Sequence, residues 1–219
     1  MTYDDFVADL NTHYYDLWNI GLKKKANHSL KQYLQEFNKN VDEKTRFAIW
    51  YQFCENYCQD ILTSELYWYY KHPALSYELS KNVIDYLNQC SNQMPQLKWL
   101  YLLTRDKEVL EKAFHHEQRD QQIIECKFQS YIDTLEWGLH HASEGVIIIT
   151  DELALETINA CNSMIEQYNI PTEFQHVFHS YVRLYQWIKK FSESDYKDFM
   201  EFCKDYDVTF QKNEVFYYT

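Results

Sequence analysis

Apolar side chains recur at intervals of three and four residues along nearly the whole chain, the spacing of a helix that buries one face. Thr2 followed by Asp5 has the capping-box pattern. It opens a first helix with Phe6, Leu10, His13 or Tyr14, Leu17 and Trp18 on one face, ending near Gly21. A second helix is predicted from Lys23 to Phe37 through Leu30, Tyr33 and Leu34, closed by the polar Asn38-Lys39-Asn40. Asp42 caps a third, with Phe47, Trp50, Tyr51, Cys54, Tyr57, Cys58 and Ile61. Proline is tolerated in the first turn of a helix and not in its interior, so Pro73 and Pro95 each begin a new one. The first of these carries Leu75, Leu79, Val83, Tyr86 and Leu87, the second Leu97, Leu100, Tyr101 and Leu103.

The stripe Val109, Leu110, Ala113, Phe114, Ile124, Phe128, Tyr131, Leu135, Leu139 is interrupted by polar residues from Glu117 to Gln122, which predicts two helices rather than one. Gly145 ends the second, and Val146-Ile147-Ile148-Ile149, the one β-like run, is expected as a buried extended connector. Thr150 and Asp151 cap a helix predicted to bury Leu155, Ile158, Cys161, Ile165 and Tyr168. Pro171, with Thr172 and Gln175 as a capping box, opens the helix of Phe174, Phe178, Tyr181, Leu184, Tyr185 and Ile188. Ser192 or Ser194 is expected to cap the last helix, with Phe199, Phe202, Cys203 and Tyr206, before an extended aromatic ending.

The pattern specifies an all-α fold of about nine or ten short-to-medium helices in a single domain, residues 1–219, with a soft division near 91–95. Only 3 Gly and 3 Pro are present, too few turn residues for many short strands. Short joints make antiparallel αα-hairpins. Stacked in a row, such hairpins form a superhelix, like tetratricopeptide arrays in architecture only. The period of about 34 residues and the Trp, Leu-Gly, Tyr, Ala pattern of those arrays are missing. A closed multi-helix bundle is the alternative.

At 219 residues the chain buries roughly 70% of its unfolded surface on folding and needs no disulfide staple. Its 20 Tyr, 13 Phe and 6 Trp make aromatics the main core material, with many Tyr rings expected at the edge of the core. With 33 acidic against 21 basic residues the net charge is -12, a field that repels a phosphate backbone and argues against nucleic acid as a partner. No apolar run approaches the roughly 20 residues that span a bilayer. The opening Met1-Thr2-Tyr3-Asp4-Asp5 has neither the basic nor the apolar region of a secretory signal, and a cytoplasmic location is expected. Six cysteines, scattered mostly one per helix, are expected to be reduced and mostly buried.

The residue types that carry chemistry are present without the spacing that chemistry needs. His115-His116-Glu117 and His140-His141 suggest a metal, but adjacent helical residues point about 100° apart, so each doublet offers one ligand. Glu111 with His115, and Glu136 with His140, are the weak metal candidates, each a pair at i, i+4. Di-iron bundles use Glu and His at i, i+3, repeated on two helices, and Glu173 with His176 is a solitary case. Cys54 and Cys58 share a face without a second ligand pair, which leaves core packing as their reading. No Gly-x-Ser-x-Gly elbow or phosphate-binding loop is present, so no cofactor is expected. His176, His179 and Arg183 form a polar strip opposite Phe174, Phe178 and Tyr181, able to meet an acidic or phosphorylated group.

The run Tyr67, Trp68, Tyr69, Tyr70 points around a whole helix, so one ring at least is exposed or meets a second surface. The expected function is therefore non-enzymatic binding of a protein or peptide, of basic character, by an aromatic-lined acidic surface. A narrower form is an acidic immunity or inhibitor protein that neutralises a basic partner. The rival classes are a metal-dependent enzyme using His115 to His141, and a homo-oligomer whose aromatic patch is its own interface.

Overall fold

The computed structural model describes residues 1–57, 73–90 and 92–210. Cys58, Ile61, the run Tyr67-Trp68-Tyr69-Tyr70 and the ending Phe216-Tyr217-Tyr218 lie outside the described residues. Among those described, the protein is all-α and has no strand. No helix among them is long and apolar enough to cross a membrane. The chain divides into two compact units, Met1–Glu117 and Gln118–Thr219.

In the first unit, α1 comprises Tyr3–Leu10, a π-helical turn at Asn11–Tyr15 and a last turn at Asp16–Asn19. The capping box forms as expected: the Asp5 N–H donates to Thr2 Oγ1 (3.2 Å) and the Thr2 N–H to Asp5 Oδ2 (2.7 Å). The Thr12 hydroxyl donates to the Ala8 carbonyl (3.2 Å) and competes with the helical ladder where the turn widens. That turn decides between the two inward candidates. Tyr14 is fully buried, and its hydroxyl is pushed up to about 12 by burial, whereas His13 is half-buried and stacks on Tyr33 at 4.9 Å.

Helix α2 (Lys23–Asn40) continues through Asn38-Lys39-Asn40, beyond its expected end. Helices α3 (Glu43–Tyr57) and α4 (Pro73–Gln89) follow, and the Asn38 amide donates to Asn82 of α4, which holds the polar turn in helical form. Asp42 accepts from the Thr45 N–H (3.0 Å) and caps α3 as predicted. Phe6 of α1, Phe37 of α2 and Trp50 of α3 meet at the centre, with centroids 5.0, 5.1 and 5.6 Å apart and Trp50 edge-on at 77° to both rings. Such edge contacts add about 0.5–1.5 kcal/mol each beyond their buried area. Helix α5 (Gln96–Thr104) is buried from Gln96 to Leu102, with Leu97, Leu100 and Tyr101 inside as the pattern predicts and Leu103 half-buried. Its polar residues are few, and a helix apolar nearly all round belongs inside. Asp106 caps α6 (Lys107–His115), which packs on α5.

In the second unit, Asp120 caps α7 (Gln121–Leu139), so the polar break divides two helices as predicted. A 3-10 turn (Ala142–Glu144), α8 (Asp151–Gln167), α9 (Thr172–Ser192) and α10 (Phe199–Asp205) follow. Helix α7 packs on both α8 and α9, and α10 on α9 and the 3-10 turn. Leu139, Ile149, Ala154, Leu184, Ile188, Phe199 and Phe202 form the shared core.

Four local expectations are corrected here. The connector at 146–149 is irregular and not buried throughout: Ile149 is inside, while Val146 and Ile148 are exposed. Helix α8 buries Ala154, Thr157, Cys161 and Met164, and leaves Leu155 51% exposed. Small residues let α8 lie close to its neighbours, and the Thr157 hydroxyl is satisfied by the Leu153 carbonyl (2.7 Å). The capping box at Thr172 and Gln175 does not form, since Gln175 Nε2 donates back to the Ile170 carbonyl (2.8 Å) and Pro171 takes the cap position. Asp198, not Ser192 or Ser194, caps α10, accepting from the Glu201 N–H (2.7 Å); both serines hydrogen-bond carbonyls at the end of α9.

Two glycines carry the path between α7 and α8. Gly138 lies under Ile149, whose Cβ would sit 2.5 Å from an added methyl, and the Ile148 N–H donates to the Gly138 carbonyl (2.9 Å). Gly145 has φ +71° and faces Phe191 at 2.3 Å from an added Cβ. Gly21 has φ +84° and open space around it. Gly21→Ala is therefore expected to cost only backbone strain, about 1–2 kcal/mol. Gly145→Ala adds overpacking of about 1–3 kcal/mol, so its thermal midpoint falls further than that of Gly21→Ala.

At the start of α8, Asp151 accepts from Lys189 Nζ (2.7 Å) and the Tyr185 hydroxyl (3.0 Å), tying α8 to α9. The Lys189 ammonium, and next the Tyr185 hydroxyl, hold the Asp151 carboxyl below the usual range. A depressed folded value means stability that is complete above the unfolded value of about 3.9 and is lost as pH falls through the folded one. Asp151→Asn removes that contribution, so acid melts of the variant should show a shallower fall in midpoint below about pH 4 than those of the parent.

Candidate functional site

The outer face of α7 carries Asp133, Glu136, Trp137 and His140, at i, i+3, i+4 and i+7, and these side chains line an open cleft of about 370 Å³. Trp137 is 58% exposed, the largest side chain among the exposed apolar residues described. Its outward aim follows from its neighbours, because Ile132, Leu135, Gly138 and Leu139 take the inward face of α7. Gln129 Nε2 donates to Asp133 Oδ1 (2.7 Å) and orients that carboxylate. His140 Nδ1 is bonded to the Trp137 carbonyl.

Charge is distributed unevenly between the units. Residues 118–219 hold 8 basic and 17 acidic side chains, net -9, whereas residues 1–117 hold 13 and 16, net -3. The cleft therefore lies on the unit that carries most of the negative field, and an aromatic face beside carboxylates is chemistry for a cation.

The other sequence candidates are placed as follows. Tyr67, Trp68, Tyr69 and Tyr70 lie outside the described residues. His176 and His179 are exposed on α9, as an outward polar strip requires. Arg183 is engaged within the chain: its guanidinium donates to the Thr209 carbonyl (3.0 Å) and lies 5.1 Å from the Phe210 ring centre. Glu111 and His115 approach to 3.9 Å on α6 with both side chains well exposed, too far for a hydrogen bond. Glu136 and His140 both border the cleft, while His141 turns to Glu144 at 3.0 Å. Among the described residues, no group of three or more His, Cys, Asp or Glu side chains is arranged to hold a metal ion.

Sequence reasoning passed over Trp137. Its signal was available, since a Trp between Asp133, Glu136 and His140 falls off the Leu135 and Leu139 stripe and must face outward.

Two ligands at an exposed pair hold a divalent cation weakly. Elemental analysis of protein purified without chelators is expected to find no stoichiometric metal, and His115→Ala and His140→Ala should leave the thermal midpoint unchanged on adding zinc. A one-to-one metal content, lost in either variant, would contradict this.

No protein-family model matches the chain, and comparison with curated proteins and with solved structures finds no match either.

Proposed function

We propose that this protein acts by binding, without catalysis, and that its ligand is a basic protein or peptide met by the acidic unit at residues 118–219. The observation that carries the reading is the exposed Trp137 on the same helix face as Asp133 and Glu136, on the unit of net charge -9. Exposed Trp is favoured as an interface anchor, and a single-sign field speeds encounter with a partner of opposite charge. A protein that neutralises a basic partner, in the manner of an immunity or inhibitor protein, is a narrower form supported by the same charge.

Further apolar side chains stand exposed in this unit, including Val146, Ile148, Leu153, Leu155 and Val177. Singly they are ordinary surface. They add apolar area to the same unit and fit a protein partner better than a small molecule.

Affinity capture at low ionic strength with the immobilised full chain is the test. It should retain a protein of basic character that elutes as salt is raised, because screening at about 0.15 M cuts charge interactions beyond roughly 8 Å. A charge-reversing Asp133→Lys, Glu136→Lys variant should retain less of it. Retention indifferent to salt, or only self-association in sedimentation, would contradict the proposal.

A further inference from the structure

We infer that the α7 cleft receives an arginine side chain of the partner, with the guanidinium stacked on the Trp137 indole and paired to the Asp133 and Glu136 carboxylates. The inference rests on the reading of residues 118–219 as the surface for a basic partner, and it names the group recognised there.

The unit uses the same contact repeatedly within itself. Arg119 lies over Tyr168 at 5.7 Å, Lys127 over Tyr131 at 4.5 Å, Arg183 over Phe210 at 5.1 Å and Lys190 over Trp187 at 4.3 Å. Among the described residues no cation of the chain covers Trp137, although indole is the ring that binds a cation best. Trp137 also has carboxylates on its own helix face, Asp133 one turn before it and Glu136 next to it in sequence. A cation seated there meets the π face and negative charge together.

Geometry favours guanidinium over ammonium. The plane of an arginine head stacks on an aromatic face while its edge N–H groups donate to carboxylates, whereas an ammonium is a compact point charge. Gln129 orients Asp133 toward a fixed rotamer, which lowers the ordering cost of that pairing.

The test uses the full chain and a defined probe, the peptide acetyl-Gly-Arg-Gly-amide, against its neutral citrulline counterpart. In nitrogen-proton correlation spectra, the Trp137 indole resonance is assigned by its loss in Trp137→Phe. That resonance should shift saturably with the arginine peptide and respond at least about tenfold more weakly to citrulline, the ratio of a single charged contact. Asp133→Asn with Glu136→Gln should weaken the arginine response by a similar factor, with other indole resonances unmoved as a check on folding. An unmoved Trp137 resonance, or equal shifts with the two peptides, overturns the inference. The two proposals fail separately: a captured basic partner whose retention ignores Trp137→Leu overturns the cleft assignment alone. A Trp137 shift specific to arginine, with no basic partner retained, supports the cleft and counts against the functional reading.

Discussion

The second unit depends on the close approach of the 146–149 connector to a glycine. Because Gly138 lacks a Cβ, Ile149 can rest against α7, and the Ile148 N–H can reach the Gly138 carbonyl at 2.9 Å. Gly145 makes the preceding reversal with φ +71° and leaves room for Phe191 of α9. With the connector covering that side, Leu135, Gly138 and Leu139 are turned to the core. Asp133, Glu136, Trp137 and His140 are left on the opposite side, and the cleft is a consequence of how α7 is packed.

Among the described residues, aromatic rings build the core of both units. In residues 1–117, Phe6, Phe37 and Trp50 bury their rings against one another, and Trp99 is fully enclosed. In residues 118–219, the rings of Trp187, Phe191, Phe199 and Phe202 also pack inward in part. Yet Trp137 and Tyr206 remain more than half exposed. Among the described residues the aromatic content therefore divides into core material and surface, with Tyr77 exposed in the first unit and Trp137 and Tyr206 in the second.

Helix positions were legible because proline, glycine and capping residues mark them: Thr2, Asp42, Pro73, Thr150 and Asp120 all stand where helices begin. Phase within a helix was less so. In α8 the eye follows Leu155, but burial follows the small Ala154, Thr157 and Cys161, because close helix approach rewards small side chains as well as apolar ones. The cap of α10 was misplaced because Ser192, Ser194 and Asp198 all have capping chemistry, and only the path of the chain selects Asp198. For the site, one-dimensional pattern singled out Glu136 and His140 only as weak metal candidates and passed over Trp137, although its place off the Leu135 and Leu139 stripe was legible; the charge imbalance needed the division of the chain at residue 117.

The central claim is that a basic ligand is met on the outer face of α7. Hydroxyl-radical footprinting of the full chain with and without an arginine-rich peptide tests it directly, comparing Trp137 with Tyr77, which is 65% exposed in the first unit. The account predicts that modification of Trp137 falls on binding while that of Tyr77 does not change. Modification of Trp137 at an unaltered rate, or equal protection of both residues, would contradict it.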